Sequence, residues 1–308
     1  MGKTVLAIDV GGTKTAAGLV GETGKILSSS RRPVAGGSPE KLAESLTEQA
    51  RELLRDAAEP PRAMGVGVKG LVDDRRNFLV SSSILGGVQR ENLREMLEKS
   101  IGLPCVIDND VNAATLAEAA WGAGRENDTF VFVNVGTGTA IGIYDRGRLV
   151  RGAENTCGEV CNMLLPLPGE EGLFSLEAVA SGKGLADEAG RLAPRFPGNA
   201  LTKGGAPVRA QDIFSAARSG DALAERIIGN AIYALTLAVV QMEAVTGAGL
   251  YIFGGGVVSD PLIFDRLRAG VPECCRRYGL KLDMDLRISS LGAADAGLLG
   301  AARLAFSR

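Results

Sequence analysis

A strand, a turn of small residues and a return strand occur twice in this chain. The first copy spans residues 4–20 with its turn at Gly11 and Gly12, and the second spans 130–144 with its turn at 136–139. Short apolar runs on either side of a glycine turn predict buried antiparallel strands. The repeat therefore indicates two lobes built on one plan, which restricts the fold more than any other feature of the sequence.

Between and after the two copies, the pattern alternates helices with strands, which predicts an α/β fold. We expect one lobe over 1–120, completed by a helix within 293–308, and a second lobe over 121–292. Residues 166–207 are rich in Gly and Pro and are expected to be the least regular part. The predicted elements are a third strand over 26–30, helices from 38 to 60 and over 93–99, 113–120, 211–219, 222–246, 262–278 and 293–305, and strands over 64–68, 105–107 and 250–253.

The predicted helix over 222–246 is long and almost uncharged in its last three turns. Residues 231–240 contain no charged side chain. An apolar helix of this kind is buried on most sides. Two explanations remain open from the sequence: burial between neighbouring helices of the lobe, or burial in an oligomer interface.

Composition excludes several function classes. The 308 residues include no histidine, so histidine bases, Ser-His-Asp or Cys-His nucleophiles and histidine-ligated metals are excluded. The formal net charge is -2 with dispersed Lys and Arg, so nucleic acid is not an expected partner. No apolar run reaches the roughly 18 residues of a membrane span, and five cysteines without paired spacing predict reduced thiols. We expect a cytoplasmic protein with no membrane partner.

The turn after the first strand carries groups suited to phosphate. Asp9 is followed by Gly11, Gly12, Thr13 and Lys14. Backbone N–H groups of a glycine turn and a threonine hydroxyl can bind phosphate oxygens, and a carboxylate can hold Mg²⁺. An ordinary hairpin would also use such a turn.

Two further glycine turns favour the phosphate interpretation. Gly136, Thr137 and Gly138 occupy the same place in the second copy, and Gly254, Gly255 and Gly256 follow the strand over 250–253. Glycines in such places allow close approach of a nucleotide. Together the three turns predict a nucleoside triphosphate held between two lobes.

The segment Asp108-Asn109-Asp110-Val111-Asn112 lies where a predicted strand gives way to a helix. Asp110 and Asn112 both suit helix capping. Alternatively, one carboxylate accepts the proton of a substrate hydroxyl that attacks phosphorus. Because the chain has no histidine, that base has to be Asp or Glu.

The motifs of the chain, in order, are those at Asp9–Lys14, Asn109–Asn112, Gly136–Gly138, Gly158-Glu159, Leu176–Ala178, Gly254–Val257 and Leu291–Gly297. In this order and from end to end of the chain, they resemble the ROK family (repressor, open reading frame, kinase), which includes bacterial glucokinases, fructokinases, N-acetylhexosamine kinases and sugar-responsive repressors. The resemblance implies the two-lobed actin-like ATPase fold of ribonuclease H type, with ATP, Mg²⁺ and a sugar in the cleft between the lobes, and usually a homodimer.

The resemblance also implies roles for individual residues. Asp110 would be the catalytic base, and Asp9 would hold magnesium with ATP. The implied sugar-binding residues are Asn109, Glu159, Glu177, Gly70 and Asn162. The implied nucleotide-binding residues are Asp9, Gly11, Gly12, Thr13, Lys14, Gly136, Thr137, Gly138, Gly254, Gly255 and Gly256.

The chain departs from typical ROK members on the sugar side. Where those members carry a zinc-binding histidine and three cysteines, this sequence has Asn162, Pro168, Glu170 and Ser175. We therefore expect no structural zinc. Ile84 stands where a sugar-facing asparagine is typical, and one lost hydrogen bond weakens binding by about 0.5 to 1.5 kcal/mol. Glucose specificity does not follow from the family alone.

Three functions compete at this point. The leading hypothesis is an ATP-dependent sugar kinase that phosphorylates a hexose or hexose-like hydroxyl. A DNA-binding repressor is not expected, because only eight residues precede Asp9. The third is a non-catalytic ROK-fold protein that binds sugar or nucleotide, or regulates, without a DNA-binding domain; Ile84 and Asn162 suggest it.

Overall fold

The computed structural model describes residues 3–73, 77–88, 92–203, 207–292 and 295–307. The chain forms two compact units. One contains Met1–Phe132, Gly142–Cys157 and Ser289–Arg308, and the other contains Val133–Ile141 and Gly158–Ile288. These limits differ from the predicted lobes chiefly in 121–132 and 142–157, and the lobe limits of the sequence analysis stay a prediction.

The described strands form two five-stranded sheets and two smaller ones. In chain order they are β1 (Thr4–Val10), β2 (Lys14–Gly21), β3 (Ile26–Pro33), β4 (Met64–Val68), β5 (Leu71–Asp73), β6 (Phe78–Ser82), β7 (Gly87–Val88), β8 (Cys105–Asn109), β9 (Phe130–Val135), β10 (Thr139–Asp145), β11 (Arg148–Val150), β12 (Leu164–Leu165), β13 (Phe174–Ser175), β14 (Leu250–Gly254) and β15 (Asp285–Ile288).

The α-helices of the described residues flank these sheets. They are α1 (Pro39–Arg55), α2 (Leu93–Ile101), α3 (Asp110–Trp121), α4 (Leu176–Ala180), α5 (Gly182–Leu192), α6 (Ala210–Arg218), α7 (Ala222–Thr246), α8 (Pro261–Arg277) and α9 (Ala296–Phe306). Short 3-10 turns lie at Ser83–Leu85, Val160–Asn162 and Ala193–Arg195.

The two large sheets have corresponding strand orders. The first is β3-β2-β1-β4-β8, and the second is β11-β10-β9-β14-β15. In the first, β1, β2 and β3 are antiparallel neighbours, whereas β1, β4 and β8 run parallel. The repeated strand plan inferred from the two glycine turns is therefore present as two sheets with the same strand order.

Strand β1 is buried on both faces of the first sheet, as its apolar run over 5–8 predicts. Leu6, Ile8 and Val10 belong to the core cluster that includes buried leucines of α1 and α2. Val5 and Ala7 belong to a second cluster with apolar residues of α9. Because side chains alternate along a strand, Asp9 shares the α9 face with these two residues.

Helix α9 approaches the first sheet very closely. A Cβ atom on Gly65 of β4 would lie 1.9 Å from the carbonyl oxygen of Ala301. Only glycine allows this spacing, because any side chain would overlap the helix backbone. The helix predicted over 293–305 begins at Ala296, and 293–294 lie outside the described residues.

Several elements were not predicted. The sheet of β5, β6 and β7, the hairpin of β12 and β13, and strand β15 contain between two and five residues per strand, too few for a recognisable period. Helix α5 occupies eleven residues of the segment expected to be least regular. Its amphipathic pattern is interrupted by three glycines, which obscured the helix in the sequence.

Helix α7 matches its predicted limits and is a core helix of the second unit. Ala231, Ala234, Leu235, Ala238 and Val239 are at most 1% exposed. Burial by the chain itself thus accounts for the apolar stretch without an oligomer interface. Within the described residues α7 has the length and composition of a membrane span, contrary to our expectation, but 67% of its apolar window is buried inside the protein.

Candidate functional site

The first candidate phosphate turn begins at Gly11, two residues after Asp9. Strand β1 pairs with β2, and the turn is closed by a 3.0 Å hydrogen bond from the Gly11 N–H to the Lys14 carbonyl. Gly12, Thr13 and Lys14 are exposed. A Cβ atom on Gly12 would lie 3.8 Å from Nζ of Lys69, which places a cation beside the turn that the sequence analysis did not single out.

The carboxylate of Asp9 lies against the first turn of α9. A Cβ atom on Gly297 would lie 2.4 Å from Oδ2 of Asp9 and 2.5 Å from its Cγ. Glycine at 297 therefore leaves the space that the carboxylate occupies. The N-terminal end of a helix carries partial positive charge, which favours a nearby anion.

The charge state of Asp9 is set by its surroundings. Burial raises its pKa, the charge of Asp110 raises it further, and Arg31 lowers it, with a resulting value of about 7. Two carboxylates that oppose each other's ionisation form a good site for a divalent cation. The chemistry of these donors fits the Mg²⁺ predicted at Asp9.

Asp110 is the first residue of α3, directly after β8. Gly67 of the intervening strand β4 separates the two acids, because its Cβ position lies 3.9 Å from Oδ1 of Asp9 and 3.7 Å from Cα of Asp110. The structure thus brings the predicted base and the predicted magnesium ligand together within the first unit.

Asn109, and neither Asp110 nor Asn112, caps α3. Its Oδ1 accepts hydrogen bonds from the N–H groups of Val111 (2.9 Å) and Asn112 (3.1 Å). Its Nδ2 donates to the Gly70 carbonyl at 3.0 Å. This segment therefore caps the helix, as one of the two interpretations predicted, but the capping residue is Asn109 and not Asp110 or Asn112. Asn109 and Gly70, two of the residues predicted to bind sugar, are therefore neighbours.

A buried polar network lies beside the start of α3, and sequence reasoning missed it. Asp108 is 3% exposed, and its Oδ2 accepts from Nη2 of Arg151 at 2.5 Å. Nδ2 of Asn155 donates to Oδ1 of Asp108 (3.2 Å) and to the Val72 carbonyl (2.9 Å). Asn155 also accepts from Asn112 at 3.1 Å. An aspartate inside an apolar strand was the available signal, because a buried charge needs partners.

The second phosphate turn is held by the junction of α4 and α5. The Gly136 N–H donates to the Gly138 carbonyl at 2.9 Å, and the Gly182 N–H donates to the Gly136 carbonyl at 2.7 Å. The Thr139 N–H donates to Oε2 of Glu177 at 3.1 Å. Thr137 at the tip is exposed. These bonds fix the backbone of the turn and leave its tip accessible.

The third glycine turn packs against the second. Gly255 has φ +96°, and a Cβ atom there would lie 2.5 Å from the Val135 carbonyl oxygen. The Val257 N–H donates to the same carbonyl at 3.0 Å. Gly254 is buried at the end of β14 and Gly256 is exposed. The second unit therefore brings the turns at 136–138 and 254–256 together.

The remaining predicted sugar-side residues lie at the base of the β12–β13 hairpin in the second unit. The Asn162 N–H donates to the Glu159 carbonyl at 3.2 Å, and the Leu176 N–H donates to the Met163 carbonyl at 2.9 Å. These bonds hold Glu159 and Asn162, both exposed, next to the start of α4, which carries Glu177.

Cys161 lies among these acids. Its thiol donates to Oε2 of Glu159 at 3.5 Å. Burial raises the pKa of Cys161, and the charge of Glu159 adds to the effect, giving about 11. The thiol is therefore neutral near pH 7, unlike the thiolate that a metal requires.

The four positions aligned with the family zinc ligands do not fit zinc. Asn162, Pro168, Glu170 and Ser175 offer neither thiolate nor imidazole. Oγ of Ser175 caps α4 by accepting from the Ala178 N–H at 3.2 Å, and Glu170 is paired with arginines. Across the described ranges, no cluster of three or more Cys, Asp or Glu side chains forms a metal site.

Comparison with known proteins places this geometry in a family. The profile described as the ROK family matches residues 5–308. The chain belongs to the ROK family. Its α/β architecture is accordingly the two-lobed actin-like ATPase fold, and that prediction is confirmed.

Solved ROK structures closely resemble this ROK chain. A ROK hexokinase from Thermus thermophilus is 31% identical with a TM-score of 0.80, over 99% of this chain and 98% of the other. A ROK family glucokinase from Streptomyces griseus, solved with glucose and AMPPNP, is 28% identical with a TM-score of 0.83, over 99% and 100%.

Curated relatives are also similar along nearly the whole ROK chain. An N-acetylmannosamine kinase from Shigella flexneri is 31% identical over an alignment of 311 positions that covers 98% of either protein. The bifunctional enzyme NanE/NanK of Brucella melitensis is 31% identical over 304 residues, which are 98% of this chain. The chain spans only 54% of the length of that bifunctional relative.

Proposed function

We propose that this protein is an ATP-dependent sugar kinase that phosphorylates a hydroxyl of a hexose or hexose-like sugar. The observation that carries the proposal is the proximity of Asp9 and Asp110 on either side of Gly67, where the charge of Asp110 raises the pKa of Asp9. A kinase needs one acid at the metal and one at the attacking hydroxyl. The glucokinase relative with glucose and AMPPNP, and the N-acetylmannosamine kinase relative, support the same reaction.

In the proposed reaction, a carboxylate oxygen of Asp110 accepts the proton of the sugar hydroxyl as its oxygen attacks the γ-phosphorus of ATP. The bond from phosphorus to the β,γ-bridging oxygen breaks, and ADP leaves. Backbone N–H groups of the turns at 11–13 and 136–138 bind phosphate oxygens. Mg²⁺ at Asp9 would supply neutralisation of phosphate charge. The cation of Lys69 lies near Gly12 and adds to this neutralisation.

We propose that Glu159, Asn162 and Glu177 bind the sugar hydroxyls together with Asn109 and Gly70. Ile84 is partly buried and packs against the core of the first unit, so that position supplies no hydrogen bond to a sugar. The sugars to test are hexoses and N-acetylated amino sugars, beginning with glucose and N-acetylmannosamine, which the names of the glucokinase and N-acetylmannosamine kinase relatives give.

A coupled assay of ADP release across these sugars tests the proposal. We expect transfer to at least one of them, and Asp110→Asn should lower kcat by about 10² to 10⁴-fold, the usual contribution of a general base. Asp265→Asn is the matched control, because Asp265 is exposed on α8. The proposal fails if no sugar is phosphorylated, or if the Asp110 variant retains the rate of the control.

A second candidate is a non-catalytic protein that binds sugar or nucleotide. The side-chain oxygen of Asn109 already accepts two hydrogen bonds in capping α3, and the side chain of Ile84 offers no hydrogen bond. Both observations favour this candidate. Calorimetric titration distinguishes the two: binding of sugar and of a non-hydrolysable ATP analogue, with no ADP release when ATP and sugar are supplied, would establish this alternative.

We also propose a cytoplasmic homodimer, on the analogy of the family alone. Light scattering at working concentration should give a mass of twice 31.9 kDa. A mass of one chain would remove the dimer while leaving the kinase proposal intact.

A further inference from the structure

The hairpin of β12 and β13 is flanked on both sides by candidate sugar-binding residues but has little secondary structure of its own. Each strand has two residues, paired as Leu164 with Ser175 and Leu165 with Phe174, and the two form a separate sheet. An isolated two-stranded ribbon is marginally stable in water. Contacts beyond the hairpin must therefore define its position.

Glu170, near the tip of the hairpin, makes those contacts. Its side chain is only 3% exposed. Oε2 accepts from Nη1 of Arg191 at 2.9 Å, and Oε1 accepts from Nη1 of Arg195 at 2.6 Å and from Nη2 of Arg226 at 3.5 Å. We call Glu170, Arg191, Arg195 and Arg226 the arginine clamp.

The three arginines come from three different elements. Arg191 is on α5, Arg195 is in the 3-10 turn Ala193–Arg195, and Arg226 is on the core helix α7. Nη2 of Arg226 also donates to the Pro168 carbonyl at 2.5 Å. The clamp thus connects the loop of the hairpin to the helical core of the second unit.

Arg191 also contacts the hairpin at a second point. Its guanidinium lies 5.1 Å from the ring centroid of Phe174 on β13, and it is bidentate to Glu188 on α5 at 2.5 and 2.8 Å. The planar guanidinium can stack and make paired hydrogen bonds at the same time, which an ammonium cannot. Both the tip and the returning strand are therefore fixed by one side chain.

Pairing of this kind is required once the carboxylate is buried. An ionised carboxylate without partners is costly in a low-dielectric environment, whereas charge-assisted bonds to guanidinium groups offset that cost. Arg191 lowers the pKa of Glu170, and Arg195 lowers it further. Glu170 is therefore ionised at neutral pH and engaged by cations, which leaves it unsuited to proton transfer.

We propose that the arginine clamp is a metal-free device that positions Glu159, Asn162 and Glu177 for sugar binding, with Glu170 at one of the four chain positions where zinc ligands are typical of the family. Glu170 is a positioning residue, because its carboxylate acts on the sugar through the hairpin. The kinetic part of this inference rests on the proposed kinase function, but the structural part does not.

Hydrogen exchange measured by mass spectrometry tests the structural part without any substrate. In Glu170→Gln, amides over 159–177 should exchange about tenfold faster, which corresponds to about 1.4 kcal/mol of lost local stability. Glu171→Gln is the matched control, because Glu171 is the adjacent residue and is exposed. A strong chelator should leave exchange of the wild-type hairpin unchanged.

Equal amide exchange rates in Glu170→Gln and Glu171→Gln would overturn the clamp proposal. Faster exchange of the wild-type hairpin in the presence of the chelator would also overturn it. If Glu170→Gln does not fold, Arg195→Gln provides the same test, because that side chain is 57% exposed and tolerates substitution. This variant should loosen 159–177 as well, and an unchanged pattern would contradict the proposal.

Kinetics test the positioning role. Glu170→Gln should raise KM for the sugar by about tenfold or more, as small misplacements of binding groups do, with the affinity for an ATP analogue within about twofold of wild type. A loss confined to stability, with KM unchanged, would refute positioning. If the wild-type protein phosphorylates no sugar, the kinase proposal fails, while the exchange result still decides the clamp.

Discussion

Glu177 accepts a hydrogen bond from the backbone N–H of Thr139, with 3.1 Å between Oε2 and nitrogen. Glu177 is a candidate sugar ligand on α4, and Thr139 follows the second candidate phosphate turn. One carboxylate therefore contacts the turn and also belongs to the proposed sugar-binding residues. A change at this side chain should affect both ligands.

We expect Glu177→Gln to raise KM for the sugar and KM for ATP together. A neutral amide oxygen accepts a bond about half as strong as that of a carboxylate, so the turn over 136–139 should be held less firmly. Initial rates with each substrate varied at saturation of the other give the two constants. A rise in the sugar constant alone would show that the bond to Thr139 has no effect on nucleotide binding.

The pKa of Asp9 predicts how the stability of the unliganded protein varies with pH. The folded pKa is about 7, above the ordinary 3.8, so between these values the folded state binds the proton more tightly. The contribution of Asp9 to the free energy of unfolding is most favourable below pH 3.8. It decreases by about 1.4 kcal/mol per pH unit as pH rises to about 7. Asp9→Asn should flatten this dependence in thermal unfolding from pH 5 to 8, and an unchanged slope would contradict it.

Binding of Mg²⁺ with nucleotide should show the opposite trend. A cation requires the ionised carboxylate of Asp9, so affinity for a magnesium–nucleotide analogue should increase as pH rises from 6 to 8. Calorimetry at several pH values measures this directly. Affinity that is constant across the range would argue against Asp9 as the magnesium-associated ligand.

Gly297→Ala should displace the Asp9 carboxylate. The added methyl would lie 2.4 Å from Oδ2, and accommodating such an overlap costs roughly 1–3 kcal/mol. Urea unfolding should report this loss, together with weaker nucleotide binding. Gly229→Ala on α7 meets no atom within 4 Å and should instead stabilise the helix by roughly 0.5–1 kcal/mol; equal behaviour of the two variants would refute the steric argument.

Comparing Asn155→Gly with Asn155→Ala distinguishes two contributions to stability: the backbone conformation of Asn155 and its side-chain hydrogen bonds. Asn155 has φ +56° and is buried. Gly removes the side-chain bonds to Asp108 and Val72, whereas Ala removes them and adds roughly 1–2 kcal/mol of left-handed strain. Urea unfolding should rank wild type above Gly and Gly above Ala. Equal stability of the two variants would show that the backbone conformation relaxes.

Much of the fold followed from the sequence because its strongest signals are local. The limits of α7 were predicted to the residue, and α1 begins after the predicted Ser38. The two glycine turns indicated the repeat that the sheets confirm. Each of these depends on a few adjacent residues or on a period sustained over many turns.

What the sequence did not predict depends on residues distant along the chain. Arg151 and Asp108 are 43 positions apart, and Arg226 lies 56 positions from Glu170. Neither pairing leaves a periodic pattern. The cap of α3 was assigned one or three residues late for a related reason: Asp110 and Asn112 suit the role as well as Asn109, and only the backbone geometry distinguishes them.

The packing of α9 against β1 and β4 has a consequence for synthesis of the protein. Residues 158–288, most of the second unit, separate α9 from the rest of the first unit. During translation, the face of the first sheet that bears Val5 and Ala7 therefore remains uncovered until Leu298 and Ala302 have left the ribosome. We expect the second unit to reach a protease-resistant state on the nascent chain before the first, although its residues are made later.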